Sequence, residues 1–111
     1  MKKSEEIYFR HILDAIKNIE MYTRNIKYSE FQKNSMINSA VIFQIIIIGE
    51  AVKNISEELK EDYPDIPWRN IAGTRDRLIH GYFEIQLSEV WEVVVSDLND
   101  LKNVVMTILE E

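Results

Sequence analysis

The sequence predicts an all-α protein, an antiparallel up-and-down bundle of four main helices. Apolar residues recur at intervals of three and four along three separate stretches, which is the spacing that lines one face of an α-helix. A fourth stretch is apolar on nearly every side, and both prolines of the chain fall into a single break. With 111 residues, the chain has the length of one small domain, and we expect residues 1–111 to form that domain without a linker.

The first helix is expected over about residues 5–27. Six apolar side chains form one stripe along it: Phe9, Ile12, Ile16, Ile19, Tyr22 and Ile26. Residues 28–34 interrupt this periodicity. We expect them to form a bend, with Ser29 capping a short turn.

The second helix is expected over about residues 35–59. Its centre, residues 40–49, is apolar apart from Gln44. Ten apolar residues are too few to cross a bilayer, which needs about 20, so we expect a helix that is buried on more than one face. A small bundle offers few ways to surround a helix completely. We therefore predict a homodimer in which another copy of the chain covers part of this helix.

Residues 62–67 contain both prolines and mark the main break, because proline opposes helix continuation. Pro67 suits the first turn of a third helix, and Gly81 suits its end. The final helix is expected over about residues 87–109. Its apolar residues form a sustained stripe: Leu87, Val90, Trp91, Val94, Leu98, Leu101, Val105 and Leu109.

Composition limits the kinds of site that the chain could carry. It has no cysteine, which excludes a disulfide framework and thiolate metal ligands. His11 and His80 are the only imidazoles. A zinc site would therefore need carboxylates for most of its ligands, and we predict neither a metal nor a cofactor. The first residues lead into an amphipathic segment rather than a signal-peptide pattern, so we expect a cytoplasmic protein without a membrane partner.

The net charge of -6 at first argues against a nucleic-acid partner, which normally meets a basic surface. The charges are unevenly distributed, however. Residues 1–83 carry 12 basic and 12 acidic side chains, whereas residues 84–111 carry one lysine and seven acids. Three of the five arginines, Arg69, Arg75 and Arg77, lie close together in the sequence. A locally positive site on an acidic molecule is compatible with this pattern.

The same segment contains the main functional signal, an Arg-x4-His-x-Tyr motif formed by Arg75, His80 and Tyr82. An arginine is a permanent cation that can hold a phosphate, and a histidine exchanges protons near neutral pH. A tyrosine hydroxyl can accept a covalent group. Together these residues indicate chemistry on a phosphodiester.

In its wider context, residues 67–83, this motif resembles the HEPN family of small helical proteins, and more narrowly the HepT toxins that are paired with a minimal nucleotidyltransferase. Residues 48–53 upstream and the pairs Val90-Trp91 and Asp97-Leu98 downstream fit the same family, so the likeness spans most of the chain. Thr74 departs from the family, which often has an apolar residue there. We interpret it as a change in packing.

The resemblance implies a HEPN-like fold and the toxin of a toxin-antitoxin system, a metal-independent endoribonuclease with active centres in a cleft between protomers. His80 would serve as general acid or base for attack by the ribose 2′-hydroxyl, and Arg75 would stabilise charge on the phosphate. Asp76 and Glu50 would support these two residues. The expected partners are RNA, contacted by basic residues of the motif segment (Arg69 and Arg77), and a cognate nucleotidyltransferase antitoxin that adenylylates the motif tyrosine (Tyr82).

Helix geometry constrains this mechanism. Arg75 and His80 are five positions apart, so on an ideal helix they point about 140° apart and are offset by about 7.5 Å along the axis. Both side chains can contact one phosphate in three ways. The arginine side chain reaches around the helix, the helix ends near His80, or two subunits each contribute one of the residues. Asp76 and His80 are neighbours at i and i+4, so Asp76 could accept a hydrogen bond from the imidazole.

Simpler structural roles compete with each of these assignments. Arg75 could merely pair with Asp76 or Glu50, and His80 could be a helix-end residue favoured by the helix dipole. Tyr82 could pack beside its neighbour. Both tryptophans and the isoleucine run are expected in the core, and the remaining histidine, His11, on the surface.

A second function class also fits the sequence: a non-catalytic helical dimer that binds nucleotide or docks onto a nucleotidyltransferase as an accessory subunit. The chain is not itself the transferase. Its three glycines form no phosphate-cradling loop, and no Asp-x-Asp pair follows one.

Overall fold

The computed structural model describes residues 3–81 and 86–110. These residues form seven α-helices and one π-helical turn, and no strand occurs among them. In chain order the elements are α1 Lys3–Thr23, α2 Tyr28–Lys33, α3 Ser35–Lys53, α4 Glu57–Glu61, α5 Trp68–His80, α6 Leu87–Glu92, the π-turn Val93–Asp97 and α7 Leu98–Glu110. The predicted all-α class is confirmed. The up-and-down order of a four-helix bundle and its dimerisation stay predictions.

The packing centres on α1 and α3, which lie against each other. Helix α5 also packs on α3, and α7 packs on α1. Four residues of the predicted α1 stripe, Phe9, Ile12, Ile16 and Ile19, are completely or almost completely buried. Burial of this stripe against α3 and α7 forms the core.

Helix α1 ends at Thr23, four residues before the predicted end at residue 27. The reason is Asn25, whose backbone is left-handed with φ of 61°. Asparagine is one of the few residues that tolerate this conformation, and the conformation ends an α-helix.

Residues 28–33 form the short helix α2 instead of the predicted bend. The prediction that Ser29 caps this segment is wrong, because Ser29 lies inside the helix and Lys27 precedes it without a side-chain cap. The helix buries Phe31 completely, and the Phe31 ring lies 4.9 Å from the ring of Trp91. This contact anchors the segment to α6.

The predicted second helix is divided in two. Helix α3 ends at Lys53, and α4 begins at Glu57 after Ser56, whose hydroxyl accepts a hydrogen bond from the Leu59 N–H at 3.2 Å. The Ser56 N–H in turn donates to Glu5 at 2.7 Å. Serine is a preferred N-cap, so a new helix start replaces a continuous helix here.

Helix α3 has 19 residues, more than the predicted apolar run of residues 40–49. Among the described residues it is the one helix long and apolar enough to cross a membrane, with a mean hydropathy of 1.7. This is weak evidence, because core helices of soluble proteins have the same composition, and 44% of the apolar window is buried within this chain. Its buried Asn38 side chain donates to the Phe31 carbonyl at 3.1 Å.

Helix α5 begins one residue after Pro67, which is its N-cap, and Gly81 follows its last residue as predicted. The final helix covers the predicted range but contains the π-turn. In the turn, Val93 is buried in place of the predicted Val94, which is only partly buried, and near the end of α7 Ile108 is buried in place of the predicted Leu109. One extra residue in the turn rotates the apolar stripe relative to an unbroken α-helix.

Candidate functional site

Arg75 lies where α5 closely approaches Gly49 of α3. A Cβ atom built on Gly49 of α3 would lie 2.2 Å from the Arg75 Cβ and 2.8 Å from its Cγ. Real Cβ contacts are not this short, so glycine is what permits the approach. Gly49 belongs to residues 48–53, the upstream segment that resembles the family. It leaves the space that the Arg75 side chain occupies.

The Arg75 guanidinium lies between two carboxylates. Its Nη2 is 2.7 Å from Glu50 Oε2, and its Nη1 donates to Asp76 Oδ1 at 2.8 Å. The side chain is 18% exposed, and its Nε is buried without a hydrogen-bond partner in the described chain. An arginine carries five N–H donors. After these two contacts, and with the Nε–H buried, two N–H groups on the Nη atoms remain for a ligand.

Asp76 also accepts a hydrogen bond from Lys53 of α3 at 3.1 Å. Arg75 and then Lys53 lower the pKa of the Asp76 carboxyl below its usual range. In return, the hydrogen bond to Asp76 raises the pKa of Arg75. Two cations and two anions thus form one network that joins α3 to α5.

This network confirms the ion-pair role considered for Arg75, which pairs with both predicted partners. Glu50 is not buried, because its side chain is 56% exposed. The Glu50 carboxylate therefore stays accessible to solvent while it pairs with the guanidinium.

His80 is the last residue of α5 and is exposed. No hydrogen bond joins it to Asp76 in the described chain, contrary to the expected orientation of the imidazole. The described partners of the Asp76 carboxylate are Arg75 and Lys53, which both contact its Oδ1. Asp76 therefore supports the arginine and not the histidine.

A groove of about 350 Å³ lies at the junction of α1, α3 and α5, and Arg75 is one of the residues that line it. Tyr8, His11, Glu50 and Asn54 also line it, but the exposed surface inside the groove is almost entirely apolar. His80 is not among the described residues that line it. In a single chain, the structure does not bring the predicted arginine and histidine together.

His11 in this groove was missed by sequence reasoning. It is exposed, as predicted, but it shares the groove with Arg75. No motif links the two residues, because their proximity results only from the packing of α1 on α3 and of α3 on α5.

The other two arginines of the motif segment, Arg69 and Arg77, line a different groove. Arg69 and Arg77 line a groove of about 890 Å³ between α4 and α5, which Arg75 does not line. Arg77 forms an ion pair with Glu89 of α6, whereas Arg69 is exposed and makes no ion pair with any described residue. The predicted RNA contacts are thus separated from the Arg75 groove.

Thr74 lies on the inner side of α5. It is 6% exposed, and its hydroxyl donates to the Asn70 carbonyl at 2.9 Å. The Asn70 side chain donates to Asp97 of the π-turn at 3.4 Å, and burial raises the pKa of Asp97. The buried hydroxyl agrees with our interpretation of Thr74 as a packing change.

Tyr82, the predicted modification site, lies outside the described residues, as does Phe83. Among the residues that the structure does describe, no group of three or more His, Asp or Glu side chains could hold a metal ion.

Comparison with known proteins identifies relatives along nearly the whole chain. A family model described as "Ribonuclease HepT-like" matches residues 12–108. A Thermococcus cleftensis protein named "Probable ribonuclease HepT" is 42% identical over 102 residues, which are 92% of this chain and 93% of that protein. A Caldanaerobacter subterraneus protein named "Putative RNase TTE0752" is 34% identical over 98% of this chain and 97% of its own length.

A longer relative occurs in Methanocaldococcus jannaschii. The protein named "Gamma-glutamylcyclotransferase and putative RNase MJ0434" is 43% identical over all 111 residues. The chain spans only about half of that protein's length, 50%. No solved structure matches the chain significantly.

Proposed function

This chain belongs to the HepT-like ribonuclease family, and we propose that it is an endoribonuclease. The observation that supports this most directly is the position of Arg75, a largely buried cation that is held between two carboxylates and still has free N–H donors. The names of its relatives point to the same activity.

The proposed reaction uses the ribose of the substrate as the nucleophile. His80 removes the proton from the 2′-hydroxyl, the 2′-oxygen attacks the adjacent phosphorus, and the bond to the 5′-oxygen breaks as that oxygen takes up a proton. Arg75 stabilises the charge that develops on the non-bridging oxygens. The products are a 2′,3′-cyclic phosphate and a 5′-hydroxyl. Because only RNA has the nucleophile, DNA is not cleaved.

In the described single chain, His80 does not line the Arg75 groove, which favours a site that two protomers combine. His80 of one protomer would approach the Arg75 groove of the other. The surface of α3 supports this pairing, because Met36 is 83% exposed and Phe43 is 60% exposed. Apolar side chains exposed on a helix next to the Arg75 groove favour a protein partner over solvent.

The test is cleavage of single-stranded RNA by the purified protein in EDTA, with analysis of the product ends. Cyclic phosphate ends are expected. His80→Asn and Arg75→Ala should each slow cleavage by about 10²-fold or more, with unchanged helical content by circular dichroism. Arg24→Ala removes a charge from an exposed position outside both grooves and is the matched control. Undiminished cleavage by both site variants would remove these residues from the mechanism.

The toxin role and its regulation are part of the same proposal. A cognate nucleotidyltransferase antitoxin would transfer an adenylyl group to the Tyr82 hydroxyl, and the bulky anion would compete with RNA for the arginines. Co-expression with that enzyme should raise the mass of the tryptic peptide that contains Tyr82 by one adenylyl group. Modification confined to other tyrosines would contradict the assignment. We place this chemistry in the cytoplasm.

The accessory-subunit alternative is decided by the same cleavage assay. A chain that binds its nucleotidyltransferase but never cleaves RNA, with or without divalent cations, would be a binding module.

A further inference from the structure

One face of α5 combines Arg69, Gly73 and Arg77 at intervals of four, followed three residues later by His80. On an ideal helix these four positions fall within an arc of about 80°. Arg75 lies about 140° away from His80 and is turned toward α3. We call the first set the outer face of α5.

No contact within the described chain requires a glycine at Gly73 on this face. A Cβ atom built there meets nothing within 4 Å, in contrast to Gly49. Glycine in a helix interior is less stable than alanine. A residue that costs stability and fills no packing requirement within the described chain indicates that something from outside approaches the backbone closely.

The groove in front of Gly73 carries a positive excess. Among its lining residues are three cations, Lys60, Arg69 and Arg77, and one acid, Glu57, while a second acid, Glu89 of α6, pairs with Arg77. The Lys60 side chain is only 14% exposed, and its Nζ lies 3.4 Å from Glu57, at the edge of hydrogen-bonding distance. Arg69 makes no ion pair with any described residue. On a molecule of net charge -6, this local excess favours a polyanion.

We propose that the groove holds the phosphate backbone of single-stranded RNA on one side of the cleavage point. The strand would run along the outer face of α5, from Lys60 and Arg69 past Gly73 and Arg77 to His80. This proposal rests on the proposed ribonuclease function, which supplies RNA as the substrate class.

The dimensions agree with such a path. From residue 69 to residue 80 the helix rises about 16 Å, which corresponds to several phosphates of a single strand. Gly73 lies near the middle of this path. There the absence of a side chain lets the strand approach the helix surface between the two arginines.

The experiment measures binding of a short fluorescein-labelled, single-stranded oligoribonucleotide by anisotropy over a series of salt concentrations. All proteins carry His80→Asn so that the RNA stays intact. Arg69→Ala should raise Kd about tenfold and reduce the salt slope by about 0.7, the value for one lost phosphate contact. Arg24→Ala makes the same change in net charge outside the groove and should leave both quantities nearly unchanged.

Gly73→Ala separates binding from folding. It should also raise Kd several-fold, although the variant melts at a higher temperature than the parent protein, because alanine stabilises the helix. Weakened binding by a more stable protein is not the result of misfolding.

Two results would overturn the proposal. If Arg69→Ala behaves like Arg24→Ala, RNA does not occupy the groove. If Gly73→Ala leaves Kd unchanged but alters the sedimentation coefficient, another copy of the chain occupies it. The wild-type cleavage assay tests the ribonuclease function separately. If the wild type cleaves RNA but both groove variants bind it normally, RNA binding in the groove is refuted and the ribonuclease function is not. If the wild type does not cleave RNA, the catalytic role is refuted and RNA binding in the groove is not.

Discussion

Arg75 shows how one side chain can have a structural and a chemical role together. Its planar guanidinium contacts Glu50 through one Nη and Asp76 through the other. A lysine, which is a point charge, could not hold both carboxylates in this geometry. The ion pairs that stabilise the α3–α5 contact also fix the direction of the remaining donors, so the structural role supports the proposed catalytic one.

The pKa of Asp76 leads to a prediction about pH. Arg75 and Lys53 lower this pKa in the folded protein. The carboxylate therefore stabilises the fold above the unfolded pKa of about 3.9, and the contribution is lost as pH falls through the lower, folded value. Asp76→Asn should melt at a lower temperature than the wild type at pH 7, and this difference should shrink as the pH falls below about 4.

Thermal midpoints over a pH series would check this. Asp14→Asn is a suitable control, because Asp14 is exposed and forms no ion pair with a described residue. A difference between wild type and Asp76→Asn that stays constant down to the lowest pH would show that the network does not depend on the Asp76 charge.

At the scale of elements, two glycines differ in the space around them: Gly49 of α3 is packed tightly against Arg75, whereas Gly73 of α5 has open space where a Cβ atom would lie. Gly49→Ala would place a Cβ 2.2 Å from that of Arg75. Overpacking of this kind costs about 1–3 kcal/mol, against a gain of about 1 kcal/mol in helix propensity. We expect a net loss of stability on the order of 1 kcal/mol, together with weaker RNA cleavage as Glu50 and Arg75 separate.

Gly73→Ala is the matched control for the change in stability, since the added Cβ meets open space. It should gain about 1 kcal/mol in the free energy of unfolding. Urea denaturation of both variants would measure the two effects. Equal changes in the same direction would mean that the α3–α5 approach does not depend on Gly49.

The π-turn is the second feature at the scale of elements. It lets Val93 and Leu98, five residues apart, both face the core, and it places Asp97 in hydrogen-bonding contact with Asn70 of α5. A continuous α-helix would turn one of these residues away. The π-turn therefore links the final helix to the segment that carries the motif.

At the scale of the whole molecule, assembly is the decisive question, because Arg75 and His80 do not line one groove in a single chain. Phe43→Asp should disrupt a pairing through α3, since it places a charge on the exposed apolar surface that Met36 and Phe43 form. We expect the variant to sediment as a monomer, to keep its helical content and to lose RNA cleavage.

Met21→Asp is the control. Met21 is 57% exposed on α1, comparable to the 60% of Phe43, but does not belong to the α3 surface. It should keep both the wild-type sedimentation coefficient and the activity. A Phe43→Asp protein that sediments and cleaves like the wild type would show that dimerisation does not involve this surface.

The sequence by itself determined the helical class. Apolar residues spaced three and four apart fall on one buried face only in an α-helix. It also identified the family and the ion-pair partners of Arg75, since Asp76 is adjacent in the chain and residues 48–53 form a recognisable segment. Local endings were harder to predict. Asn25 ended α1 by its backbone conformation, and Ser56 started α4 by capping. Both signals are short and compete with the longer periodicity around them.

Only the tertiary structure decided which polar groups share a surface. His11 joined the groove of Arg75, whereas Arg69 and Arg77 faced a separate groove, and Asp76 turned to two cations instead of His80. Helix periodicity gives the direction of a side chain about its own axis but not the neighbouring helix toward which it points. That depends on how closely two backbones can approach, which at Gly49 is set by the absence of a single Cβ atom.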